Sequence, residues 1–151
     1  MTRTLLTTLV RATAVASIGL VALAWPTAHA TVGVNAGALR CTVTSRQPTL
    51  SLTKRLSGSA TVTCNAATSV GVEMTVVELD GSAEDRIVEV PLQVRWITVT
   101  ANTAVVITST RVNCVSTEVG GEEFATRSRL NVLGKKSGWD RSVPMTDAYA
   151  C

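Results

Sequence analysis

Apolar and polar residues alternate with a period of two along much of the chain, and this pattern limits the fold more than any other feature. In the clearest run the apolar positions are Val88, Val90, Leu92, Val94 and Trp96. Because successive side chains of a strand point to opposite faces, this run predicts a half-buried β-strand whose apolar side faces the core. Pro91 lacks a backbone N–H and lies within the run, which predicts an edge position or a β-bulge.

Two further runs have the same period. The apolar side of the first comprises Phe124, Thr126, Ser128, Leu130 and Val132, and that of the second comprises Val70, Val72, Met74 and Val76. The second run changes phase at Val77 and Leu79, which predicts a β-bulge. No window after the first thirty residues has a helical period. The sequence therefore predicts an all-β fold, a single antiparallel β-sandwich of about seven or eight strands over residues 38–151, after a flexible lead-in at residues 31–37.

Residues 1–30 have the layout of a signal peptide. Arg3 and Arg11 precede an apolar stretch from Ala12 to Trp25, and the triplet Ala28-His29-Ala30 follows it. This stretch is shorter than the roughly 20 residues that a helix needs to cross a bilayer. We therefore expect a signal-peptide helix that is cleaved after Ala30, a secreted, extracellular mature protein, and no stable membrane insertion.

Cleavage at this point changes the charge and removes one residue type. Loss of Arg3 and Arg11 lowers the net charge from +3 to +1. The positive excess that attracts nucleic acid is then nearly absent, so we expect no nucleic-acid partner. Loss of His29, the only histidine of the chain, leaves no imidazole for Ser-His-Asp or Cys-His catalysis.

The four cysteines, Cys41, Cys64, Cys114 and Cys151, all follow the signal. An even number in an exported chain predicts two disulfide bonds. The preferred pairs are Cys41 with Cys64 and Cys114 with Cys151, because two strand-like runs around the polar stretch 54–58 would form a hairpin with the first pair opposite. The alternative joins Cys64 to Cys114 between two sheets. No close Cys-x-x-Cys pair is present, so we expect no metal and no cofactor.

The lysines and the clustered carboxylates are the remaining residues that could catalyse a reaction, and for both a non-catalytic interpretation is favoured. Lys54, Lys135 and Lys136 lie in predicted turns and are expected to be solvated rather than to activate a serine. Two acidic clusters, at residues 78–85 and 118–123, surround turn glycines. Carboxylates at turns serve solubility more often than sugar hydrolysis or calcium binding. We therefore expect a protein that is not an enzyme.

Arginines and one tryptophan are the candidate binding residues. Four arginines lie on predicted strands opposite the apolar positions: Arg95, Arg111, Arg127 and Arg129. On neighbouring strands they would form a basic row for a carboxylate or an acidic polymer, and otherwise a solvated face interleaved with Glu73 and Glu89. Trp139 either caps the open end of the sandwich or anchors a partner. The candidate binding site comprises Trp139, Arg141, Arg127 and Arg129.

With its signal, four cysteines, strand alternation and carboxyl-terminal Cys151, the chain resembles the small secreted bacterial immunoglobulin-like β-sandwich proteins, many of which have no assigned function. The resemblance implies an immunoglobulin-like sandwich. The favoured hypothesis is a non-catalytic binding or surface-associated domain, whose partner is an extracellular protein or a cell-surface polymer. One alternative is a secreted inhibitor of an extracellular hydrolase with residues 117–123 as its inhibitory loop. The other is an enzyme that uses carboxylates alone.

Overall fold

The computed structural model describes residues 31–80, 83–114 and 123–145. The strands within these ranges are β1 (Val32–Ala36), β2 (Leu39–Leu50), β3 (Arg55–Cys64), β4 (Thr68–Asp80), β5 (Ala83–Val99), β6 (Val105–Thr108), β7 (Val112–Asn113), β8 (Glu123–Val132), β9 (Lys135–Lys136) and β10 (Asp140–Arg141). The described residues contain no helix, which confirms the all-β prediction. Accordingly, none of them belongs to a helix long and apolar enough to span a membrane. Short strands such as β7 and β9 raise the number above the predicted one, because two residues cannot show a period.

The strands form two antiparallel sheets. The first sheet has the order β1-β2-β3-β6, and β7 also pairs with β3; the second has the order β10-β8-β4-β5, and β9 also pairs with β8. Side chains from both sheets share one apolar cluster, in which Val43 and Val62 of the first sheet pack with Val72 and Leu130 of the second. The alternation predicted for β4 and β8 therefore corresponds to faces that meet in the core.

Residues 31–37 are not a flexible lead-in. Val32–Ala36 forms β1, which pairs with β2 in a hairpin and places Val34 in the core. Gly37 follows β1 with a φ of 66°, a backbone conformation that glycine adopts without strain. The prediction failed because Val32 and Val34 provide only two apolar positions, too few to establish a period.

The β2–β3 hairpin confirms the first disulfide. Cys41 and Cys64 lie directly opposite each other and are bonded, so the alternative pair of Cys64 with Cys114 is wrong. The turn lies at residues 51–54 rather than 54–58, and Gly58 falls inside β3. A Cβ atom on Gly58 would lie 2.8 Å from Cγ2 of Val76, so only glycine fits where the sheets approach. Cys151 lies outside the described residues, and its pairing with Cys114 stays a prediction.

Strand β5 carries extra residues opposite β4. Between Met74 and Leu79 the β4–β5 register shifts three times, each time with more residues on β5. Over the same stretch β4 pairs with β8 without a shift. The irregularity predicted near Val77 is present, but the bulged strand is β5 rather than β4. Val77 and Leu79 join Ala125 in a separate buried cluster, on the side of the second sheet that faces away from the main core.

In the second half of β5 the apolar residues point away from the core. Leu92, Val94 and Trp96 are 52%, 56% and 62% exposed, so the prediction that they are buried is wrong, whereas the side chains of Val88 and Val90 lie outside what is described. Gln93 and Arg95 face the first sheet instead. The main-chain N–H of Thr110 donates to Oε1 of Gln93, and Nη1 of Arg95 donates to the carbonyl oxygen of Thr108, both at 3.0 Å. Polar side chains can occupy these positions because they lie at the rim of the core, where they bond to the backbone of the connection between β6 and β7.

A buried polar network joins the sheets at the opposite edge. Asp140 on β10 is buried, and its carboxylate accepts a hydrogen bond from the main-chain N–H of Ser45 on β2. The hydroxyl of Ser45 also lies 2.6 Å from that of Ser128 on β8. Val32, the first residue of β1, pairs with Val43, so the N–H of Ser45 lies beyond the part of β2 that pairs with β1. The carboxylate satisfies a donor that the sheet itself leaves open.

Candidate functional site

Strand β8 places two arginines on the outer face of the second sheet. The even-numbered residues 124–132 are buried, so Arg127 and Arg129 point to the opposite side. Arg141 on β10 lies directly opposite Arg127, and directly opposite residues share a face of the sheet. The structure therefore brings together three of the four predicted binding residues.

Trp139, the fourth, packs against two of these arginines. The guanidinium carbon of Arg129 lies 4.4 Å from the centre of the Trp139 ring, and that of Arg127 lies 5.0 Å from it. Both distances suit cation–π attraction. The ring is half-buried against the outer face of β8 and does not cap an open end of the two sheets. We call Trp139, Arg127, Arg129 and Arg141 together the Trp139 face.

An ion-pair cluster supports the Trp139 face from one side. A carboxylate oxygen of Glu73 lies 2.5 Å from Nη2 of Arg129, and the other lies 2.7 Å from Nζ of Lys136. Nε of Arg129 donates a second hydrogen bond to Glu73 at 2.7 Å. Glu73 is buried, so the expectation that it lies on a solvated face is wrong, whereas Lys136 is exposed as expected. The fork of two hydrogen bonds fixes the plane of the Arg129 guanidinium beneath the tryptophan ring.

The charge state of Glu73 follows from this cluster. Burial by itself raises the pKa of its carboxyl group. Hydrogen bonds from Lys136 and Arg129, together with their positive charges, outweigh burial and bring the pKa below its ordinary value of 4.5. Glu73 is therefore ionised at neutral pH, and Arg129 remains paired.

The other two arginines named from the sequence, Arg95 and Arg111, do not lie on the Trp139 face. Arg95 faces the first sheet and bonds to the carbonyl oxygen of Thr108. Arg111 lies between β6 and β7, where its carbonyl oxygen accepts a hydrogen bond from Nη2 of Arg55 at 3.1 Å. The four arginines therefore do not form the basic row that neighbouring strands would have produced. Arg95 points inward from β5, and Arg111 lies on the first sheet's side of the molecule.

In the part of the chain that the structure describes, the acidic candidates do not assemble into a metal site. Within residues 31–80, 83–114 and 123–145, no three His, Cys, Asp or Glu side chains are placed to hold a metal ion. A cavity of about 550 Å³ on this part of the chain is lined by residues 47–52, Lys54 and Met145, none of them a carboxylate. Glu78 is buried in β4. Residues 118 and 122, most of the inhibitory-loop candidate at 117–123, and the side chains of residues 80–85 lie outside what is described.

Sequence inspection assigned no role at this site to Trp96, Glu73 or Lys136. Trp96 lies on the same outer face, where Cζ2 of its ring would be 3.3 Å from a Cβ atom on Gly71. The signal for Lys136 is the pair Leu133-Gly134, both with positive φ, which makes a two-residue hairpin turn and sets Lys136 opposite Asn131.

The sequence matches no protein-family model, and no curated protein is significantly similar to it.

Proposed function

We propose that the protein is a secreted, non-catalytic binding domain with an immunoglobulin-like sandwich fold, which uses the Trp139 face to hold an extracellular protein or a cell-surface polymer. The observation that carries the proposal is the packing of the Trp139 ring on Arg127 and Arg129, on a sheet face turned away from the core. Tryptophan and arginine are the residue types that most often dominate binding energy at protein surfaces.

Preorganisation favours this face over the other surfaces. Side chains that become ordered on binding reduce affinity, because their lost freedom opposes association. Arg129 is already held by Glu73 through two nitrogen atoms, and Trp139 is already packed against it. A partner therefore meets a rigid aromatic and cationic surface, and little ordering free energy is lost on contact.

The proposal also includes secretion of the protein and formation of its disulfide bonds outside the cell. The layout of residues 1–30 supports secretion, and the Cys41–Cys64 disulfide is compatible with an oxidising compartment. We include a second disulfide, Cys114 with Cys151, which would tie the carboxyl end to the segment after β7. Such a bond would stabilise the fold by about 3 kcal/mol if loop closure in the unfolded chain is the main term.

A binding experiment with matched variants tests the proposal. The mature domain, residues 31–151, is immobilised and incubated with culture supernatant and, separately, with washed producing cells. Trp139→Ala removes the centre of the Trp139 face, and we expect at least a tenfold loss of captured protein or of cell adhesion, as for a typical binding hot spot of about 2 kcal/mol or more. Leu52→Ala, which truncates a fully exposed leucine in the β2–β3 turn, is the control and should bind as the wild type does.

The two arms separate the partner classes, since supernatant proteins and surface polymers are retained in different arms. Circular dichroism establishes that both variants are folded. Equal binding by wild type and Trp139→Ala in both arms would contradict the proposal.

A further inference from the structure

The second half of β5 exposes an apolar row at the edge of the second sheet. Among the described strands, β5 pairs with β4 alone. Leu92, Val94 and Trp96 are all more than half exposed and lie on alternate positions of this strand. They therefore form a continuous apolar strip that borders unpaired backbone.

Of the features that usually protect a strand edge, this stretch has only one inward-pointing charge, Arg95. Soluble proteins protect exposed strand edges with charges, prolines or bulges. In β5 the bulges and Pro91 precede Gln93, and from Gln93 to Val99 the register with β4 is regular. The two polar side chains in this stretch nearest the apolar row, Gln93 and Arg95, turn toward the first sheet and bond to it.

Hydrogen bonds on the side of β8 that faces away from β4 show which backbone groups of β5 point to the edge of the sheet. The N–H of Ser137 donates to the carbonyl oxygen of Leu130, and the N–H of Ser142 donates to that of Thr126, both at 2.9 Å. Even-numbered residues of β8 thus direct their backbone groups away from β4. Successive residues of an antiparallel strand bond to opposite neighbours, so the odd-numbered residues of β8 bond to β4.

The same alternation carries through β4 to β5. Gly71 and Glu73 lie opposite odd-numbered residues of β8, so their backbone groups face β8. Their opposite residues on β5 are Trp96 and Val94. The N–H and C=O groups of Trp96 and Val94 consequently point to the open edge, in the same positions whose side chains form the apolar row.

We propose that a second copy of the chain binds along this edge, with β5 pairing antiparallel to β5 of the second copy about a two-fold axis at Val94. In this register Val94 lies opposite Val94 of the second copy, and Leu92 lies opposite Trp96 of the second copy. Each of these pairs uses backbone groups that face the open edge, so the second sheets of the two copies become one continuous sheet. This association goes beyond the proposed function, because it uses β5 and leaves the Trp139 face free.

Charge selects this register over its neighbours. With the axis at Val94, Arg95 lies opposite Gln93 of the second copy, and no like charges meet. A shift that moved the axis to Arg95 would set two arginines directly opposite each other, which destabilises an antiparallel pair. A shift to Gln93 would bring Pro91 opposite Arg95 of the second copy and extend the pairing into the bulged half of β5. The self-complementary strip from Leu92 to Trp96 is what an isologous two-fold interface requires.

The association state of the mature domain tests the proposal directly. Sedimentation equilibrium should show a mass twice that of the monomer at tens of micromolar. Val94→Lys sets two ammonium groups opposite each other at the axis and should weaken association at least tenfold. Val106→Lys is the matched control: Val106 is 52% exposed on β6 and faces outward from the first sheet, so this variant should associate as the wild type does.

A cross-link tests the register and does not depend on charge. Opposite residues of a hydrogen-bonded antiparallel pair have Cα atoms about 5.5 Å apart, which is within the range of a disulfide. Val94→Cys should therefore form a covalent dimer on mild oxidation of the folded protein, and Val106→Cys should not. A wild-type monomer throughout this concentration range, or equal behaviour of the variants at positions 94 and 106, would overturn the proposal. Loss of binding in Trp139→Ala leaves this result unaffected, so the two proposals fail separately.

Discussion

The two edges of the second sheet are both tied to the first sheet by polar groups, but they differ in burial. At the β10 edge, the buried carboxylate of Asp140 accepts the N–H of Ser45. At the β5 edge, Gln93 and Arg95 reach the backbone at Thr110 and Thr108 from half-buried and exposed positions. Water does not compete with the hydrogen bond at the β10 edge, because that bond is buried. It does compete with the two hydrogen bonds at the β5 edge.

The outer faces beside these edges differ in the same sense. The β10 side carries Lys136 and the Trp139 face, and its charges are organised around Glu73. The β5 side carries Leu92, Val94 and Trp96. Charged side chains at an edge oppose the addition of another strand, and apolar ones favour it. One sheet thus presents a rigid polar surface at one edge and an edge open to pairing at the other.

The largest expected effect comes from removing the buried hydrogen bond between Ser45 and Asp140. Asp140→Ala removes the acceptor of the Ser45 N–H and leaves that donor buried. We expect the free energy of unfolding, measured by urea denaturation, to fall by about 2 to 3 kcal/mol, because the lost bond is to a charged group and its partner is unsatisfied. Thr98→Ala at the exposed β5 edge is the control and should change stability by less than about 0.5 kcal/mol. Equal losses in the two variants would remove the distinction between the edges.

A smaller effect comes from the ion-pair cluster, and it depends on pH. Glu73→Gln removes the charge that holds Arg129 and Lys136. Because the side chains of Arg129 and Lys136 are 25% and 48% exposed, solvent screens the cluster, and we expect a loss of about 1 kcal/mol at neutral pH.

The pKa of Glu73 is lowered in the folded protein, so this contribution is present above 4.5 and is lost as the pH falls through the lower folded value. Urea denaturation between neutral pH and pH 3 should therefore show a smaller decline in stability for Glu73→Gln than for the wild type. Glu123→Gln, which removes a carboxylate that binds neither Arg129 nor Lys136, should decline as the wild type does. Parallel curves for wild type and Glu73→Gln would refute the cluster's role.

The smallest effect concerns the turn that positions Lys136. Leu133 has a φ of 49° and is 72% exposed, a conformation that strains leucine and suits asparagine. We expect Leu133→Asn to raise the midpoint of urea unfolding, with a gain of about 0.5 to 1 kcal/mol. Leu52→Asn changes an exposed leucine that has no positive φ, and it should bring no gain. A similar shift in both variants would show that exposure, not backbone strain, is responsible.

The sequence pattern alone predicted the buried residues correctly where one face of a strand meets the centre of the core. Burial alternates without a break from Thr126 to Val132, and the inward positions from Phe124 to Val132 are buried as predicted. Cys41 and Cys64 were paired correctly because a hairpin joins strands that are adjacent in sequence, so local turn signals fix which residues are opposite.

The same kind of pattern misled for β5. Its sequence alternation is as regular as that of β8, yet Leu92, Val94 and Trp96 face outward. Period two identifies two faces but does not say which of them meets another sheet. That choice depends on what lies opposite, and for Gln93 and Arg95 it is the backbone near Thr110 and Thr108, more than ten residues farther along the chain.

The sequence by itself determined the all-β class, the long strands with a clear period such as β4 and β8, the hairpin that joins Cys41 to Cys64, and the absence of histidine from residues 31–151, because these follow from residue type and local period. Only the tertiary structure decided that Trp139 lies on Arg127 and Arg129, that Glu73 is buried between two cations, and that the apolar row of β5 lies at an edge with which no other described strand pairs. Each of these depends on the register between strands distant in sequence. That register is set by the packing of both sheets together, and no local pattern contains it.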